Sequence, residues 1–63
     1  MTADKRREKI SAEHRLQLHE EELRHRQEVG DRMGVVIARL NITSLRMQIA
    51  QLDRELAENG EEQ

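Results

Sequence analysis

Three histidines, His14, His19 and His25, are the side chains of this chain best suited to binding a metal or moving a proton near neutral pH. Metal ligation from one helix needs two imidazoles on a common face, three or four residues apart. These three are spaced by five and six residues, and the run His19-Glu20-Glu21-Glu22-Leu23 lacks the second histidine of a zinc-protease helix. No metal and no cofactor is expected within one chain. A pH response is open to His19, which falls on a core-facing position where burial would oppose the charged form. Otherwise it is an ordinary, partly exposed histidine.

Nucleophilic chemistry finds no better support. Thr2, Ser11, Thr43 and Ser44 are isolated hydroxyls, no glycine-rich phosphate loop is present, and the carboxylates are scattered. Catalysis needs convergent groups in a concave pocket, which a small helical hairpin can hardly enclose. Neither an enzyme nor a small-molecule substrate is expected. Asn41-Ile42-Thr43 matches the N-glycosylation pattern but lies inside an apolar heptad, so it is not read as a modification site.

The remaining candidate is electrostatic. Lys5-Arg6-Arg7-Glu8-Lys9, supported by Arg15, could contact nucleic acid or an acidic partner. Positive charge at a helix N-terminus opposes the macrodipole, so this segment must be frayed or compensated. With no aromatic residue to stack on a base, any contact would go to phosphates and be salt-sensitive, and RNA helices recognised by shape would be its natural target.

The elements that carry these residues follow from composition. The 63-residue chain has no Phe, Trp, Tyr, Cys or Pro, a net charge of −2 from 11 basic and 13 acidic groups, and 17 Leu, Ile, Val and Met residues. Without disulfides or aromatic side chains, a core this thin predicts oligomerisation, a homodimer above all. No run approaches 18 apolar residues and the chain is charged from Asp4 onward, so neither a membrane span nor a secretory signal is expected, and the expected location is cytoplasmic.

Helix-forming residues and the absence of alternating apolar runs predict an all-α fold. Gly30 suits a left-handed helix C-cap and Asp31 the N-cap of a following helix. The expected single domain therefore has helix 1 over about 4–29, a turn at 30–31, helix 2 over about 32–58, and an acidic frayed tail at 59–63 after the stop at Asn59 and Gly60. Val35, Ala38, Ile42, Leu45, Ile49, Leu52 and Leu56 form a heptad stripe. A thinner stripe, Ala12, Leu16, His19 and Leu23, faces it when the chain folds back, with Lys5 and Lys9 laying their stems over Leu52 and Leu56. Positions facing each other then sum to 61. The accompanying flank pairs are Arg6 with Asp53, Glu13 with Arg46, Glu20 with Arg39, and Gln27 with Arg32.

Met33, Val36, Ile37, Leu40 and Met47 project roughly opposite that heptad. A helix with two apolar faces sits between two layers. The expected architecture is an antiparallel helical hairpin of two long helices, dimerised into a four-helix bundle, with this second face against another hairpin or another protein. The alternative is an extended parallel two-stranded coiled coil, since Val35, Ile42 and Ile49 at one core position and Leu45 and Leu52 at the other suit that form.

In length, break near residue 30 and two helices of similar size, the chain resembles the plasmid RNA-binding regulator Rop, an antiparallel dimer of helical hairpins, although its core residues follow a different pattern. The run from His14 to Glu28 is similar to the His-rich coiled coil of ATP synthase inhibitor proteins, whose aromatic-containing inhibitory segment is absent here. Membership of neither family follows. The leading expectation is a non-enzymatic interaction module, an assembly factor, adaptor or inhibitor. A nucleic-acid-binding regulator and a structural coiled-coil spacer are the alternatives.

Overall fold

The computed structural model describes residues 2–58, which form two α-helices, α1 (Thr2–Val29) and α2 (Arg32–Glu58), packed against each other as a hairpin. The molecule measures 45 × 15 × 14 Å, about the length of one such helix at roughly 1.5 Å per residue. The chain thus folds back once along its own length, and the continuous helix that an extended parallel coiled coil requires is not formed. The expected stop at Asn59 and Gly60 and the acidic tail over 59–63 lie outside the described residues.

The reversal takes only two residues because Gly30 turns the chain and Asp31 serves both helices. Gly30 adopts φ +74°, the left-handed conformation that costs any residue with a Cβ. Its N–H donates to the Gln27 carbonyl at 3.3 Å, and the Asp31 N–H donates to the Arg26 carbonyl at 2.9 Å. These two bonds are the Schellman closure of α1. Asp31 then begins α2: its carbonyl accepts from the Val35 N–H at 2.9 Å, and its Oδ1 accepts from the Gly34 N–H at 2.9 Å. That is the N-cap geometry, satisfying one of the donors a helix start leaves open.

Two further side chains lock this junction. Arg26 donates to Asp31 Oδ2 at 2.9 Å and to Glu22 Oε2 at 3.2 Å, so the last turn of α1 holds the residue that caps α2. Gly34 makes room for the arrangement, since a Cβ there would lie 2.5 Å from Asp31 Oδ2 and 2.8 Å from Arg26 Cδ. The Gly34 N–H, with the Arg26 guanidinium adding to it, holds the Asp31 carboxyl below the usual range against the opposing effect of partial burial. Bonds to Glu22 and Asp31 in turn hold Arg26 more firmly in its charged form.

The core between the helices is unequal. Ala38, Ile42, Leu45, Leu52 and Leu56 of α2 are buried, whereas Ala12 alone is buried on α1 among the described residues. Leu16, His19 and Leu23 of α1, and Val35 and Ile49 of α2, are half-buried. One polar helix covers one apolar helix, and each of these half-buried side chains meets solvent at the edge of the seam.

Candidate interaction surface

α2 carries its second apolar set on the side away from α1. Met33 is 69% exposed, Val36 and Ile37 53%, Leu40 65% and Met47 68%. Their spacing explains why they share a face: Met33, Leu40 and Met47 are seven residues apart, and Val36 and Ile37 fill the turn between the first two. Among the described residues, eight large hydrophobic side chains are exposed and four, Ile42, Leu45, Leu52 and Leu56, are buried. Five of the exposed eight lie on this one stripe. The other three, Ile10, Leu18 and Val29, are dispersed along α1, so the second face belongs to one helix.

The N-terminal basic cluster is drawn into the hairpin. Lys5 Nζ donates to Glu55 Oε1 at 2.8 Å, and Lys9 Nζ lies 2.6 Å from Asp53 Oδ1. Both lysines are half-buried against the far end of α2. The Lys5 hydrogen bond, and then that from Gln51, hold the Glu55 carboxyl below its usual range, while Glu55 raises the Lys5 ammonium. Carboxylates from the last turns of α2 thus offset the positive charge that opposes the α1 macrodipole. Arg15 leans back to Ser11 Oγ at 3.4 Å, and Arg6 and Arg7 are exposed.

Two cross-helix ion pairs were not among the expected flank pairs. Lys9 meets Asp53, and Glu20 accepts from Arg46 at 3.2 Å, where Arg39 was the expected partner. Side chains on a helix lean toward its N-terminus. In an antiparallel pair Glu20 and Arg46 therefore lean toward each other, across more residues than backbone register suggests. Arg39 is left exposed beside Arg24, Thr43 and Arg46, along an open trough of about 690 Å³ floored by Leu23 and Ile42.

His19 is half-buried at the edge of the seam, its Nδ1 3.8 Å from Glu22 Oε1, while His14 and His25 are exposed. Among the described residues no three His, Asp or Glu side chains converge as metal ligands. No described helix is long and apolar enough to cross a membrane.

Sequence reasoning passed over two features. One is the Arg26-Asp31-Gly34 lock, of which only the Asp31 cap was signalled. The other is a row of arginines, Arg32, Arg39 and Arg46, spaced by seven on one flank of α2. That heptad interval was its available signal. Compared with known protein families, curated proteins and solved structures, the chain matches none.

Proposed function

We propose that this chain is a non-enzymatic protein-interaction module, of the kind that serves as an assembly factor, adaptor or inhibitor, and that its working surface is the outer face of α2. The observation that carries the reading is the stripe of Met33, Val36, Ile37, Leu40 and Met47, exposed on the helix that also supplies nearly all of the hairpin core. An apolar stripe at helical spacing is the surface on which another helix docks, and methionines suit it to adaptable packing. The docked helix comes from a second copy, which would complete a homodimeric bundle, or from another protein.

Aspartate at Ile37 and Leu40 together tests this. Both side chains face solvent, so the helical content of the hairpin should persist. Self-association in a concentration series and capture of a helical partner should both be lost. A double variant that keeps both removes this face from the function. The nucleic-acid reading has less to draw on, because Lys5 and Lys9 already pair with Glu55 and Asp53.

A further inference from the structure

The flank of the outer stripe bears on what covers it. From Arg32 to Leu52 α2 contains three arginines and no Asp or Glu. Arg32, Arg39 and Arg46 stand about 10 Å apart along the helix, at seven residues and roughly 1.5 Å per residue. All three are exposed, Arg46 reaches Glu20, and Arg32 and Arg39 make no ion pair or hydrogen bond among the described residues. The row runs between the trough shared with α1 and the apolar stripe, where the flanking charges of a docked helix would fall.

The α2 of a second copy does not answer this charge, and the α1 of a second copy, whose exposed Ile10, Leu18 and Val29 are dispersed, brings carboxylates without an apolar stripe to meet Met33 to Met47. If two α2 helices pair antiparallel about Leu40, matching Met33 with Met47, like flanks meet, and Arg39 faces its own copy while Arg32 faces Arg46. If they pair parallel, each arginine row lies beside the opposite flank of its neighbour, which carries Gly34, Asn41 and Gln48. Neither orientation brings a carboxylate to the row. Like charges across such a seam disfavour pairing, and opposite charges select the partner.

Resting on the proposed working surface, we infer that the outer face of α2 takes an acidic amphipathic helix from another protein. Its apolar stripe lies on Met33, Val36, Ile37, Leu40 and Met47, and its carboxylates, one heptad apart, meet Arg32, Arg39 and Arg46. The trough, lined by Arg24, Arg39 and Arg46 with the one carboxylate of Glu20 paired to Arg46, extends net positive charge toward α1. The occupant's charge is therefore specified as well as its apolar seam.

The test uses the full chain and two synthetic three-heptad helical peptides with the same Leu and Ile seam, one flanked by Glu and one by Lys, followed by fluorescence anisotropy. At about 50 mM salt the Glu peptide should bind about tenfold more tightly than the Lys peptide, three favourable exposed pairs being exchanged for three repulsive ones. High salt should narrow the gap. R32E/R39E, at two exposed positions without partners in the hairpin, should reverse the preference, and R32Q/R39Q, which leaves only Arg46 in the row, should bring the two affinities close together, a readout that stands even where the double reversal perturbs folding. Equal binding of both peptides through a face that I37D/L40D disables would overturn this inference and leave the proposed function standing. So would a stable homodimer that excludes both peptides, or binding to phosphatidylserine vesicles with no preference between the peptides. If neither peptide binds and I37D/L40D changes neither mass nor binding, the inference and the proposed function fall together.

Discussion

Gly30→Ala changes stability in opposite directions for the two architectures open to this sequence. In the hairpin residue 30 sits at φ +74° with nothing within 4 Å of an added Cβ, so the substitution meets no clash and its cost is that of the backbone alone. A Cβ in the left-handed region costs about 1–2 kcal/mol, which lowers the ratio of folded to unfolded chains roughly 5- to 30-fold. For a domain of this size that corresponds to a thermal midpoint roughly 5–15 °C lower. In a continuous helix the same change would stabilise by about 1 kcal/mol, because alanine is the better helix former. Thermal unfolding followed by circular dichroism, at one protein concentration for both chains, reads the sign directly. Gly30→Asn should lie between alanine and wild type, since asparagine tolerates this region better. A midpoint for Gly30→Ala equal to or above wild type would refute the turn.

Four further outcomes follow from the same geometry. Gly34→Ala should displace the Asp31 carboxylate and return its titration, followed by NMR, toward the usual aspartate range, because the new Cβ would take the space next to Oδ2. Stability should fall on acidification: Asp31 and Glu55 have depressed carboxyls, so their contribution is complete above the ordinary carboxylate range and is lost as pH drops through their folded values. Lys5 is raised, so its contribution is complete below the ordinary lysine range and disappears at higher pH as it deprotonates; denaturant midpoints across pH should show a plateau between these limits, and Lys5→Met should flatten the alkaline edge. Leu45→Ala, at a buried position in the middle of the seam, should cost about 2–5 kcal/mol and abolish cooperative unfolding, whereas exposed Leu18→Ala should change the midpoint little.

The hairpin itself was legible because punctuation and periodicity agree. Gly30 and Asp31 carry the chemistry of a helix stop and a helix start, and the heptad from Val35 to Leu56 needs a facing stripe that the preceding segment supplies. Less legible was how unevenly the two stripes would be buried. Leu16 and Leu23 have the right spacing, yet neighbours such as Glu20 and Arg24 keep that edge polar and leave them half-covered. Ion pairs were harder still, because residue numbers describe backbone level and side chains act some way toward the N-terminus of it, which is how Glu20 comes to meet Arg46. The turn lock escaped for a related reason: Arg26 and Gly34 lie on different helices and meet only through the conformation of the residues between them.

Of the surface features, the outer stripe of α2 was visible as a second heptad phase, and its exposure is a property of the folded hairpin. The arginine row beside it was visible only as an interval of seven. It gained meaning once the hairpin left Arg32 and Arg39 exposed, on a stretch of α2 from Arg32 to Leu52 that carries no carboxylate of its own.

The most direct test of the outer α2 face as working surface is a series of amide-resolved NMR spectra, taken first across protein concentration and then with the Glu-flanked peptide added. The account predicts that shifts and broadening gather on Met33, Val36, Ile37, Leu40 and Met47, with the Arg32, Arg39 and Arg46 amides following when the peptide is present. Perturbations centred on residues 5–15 of α1, with the outer face of α2 unchanged, would contradict it.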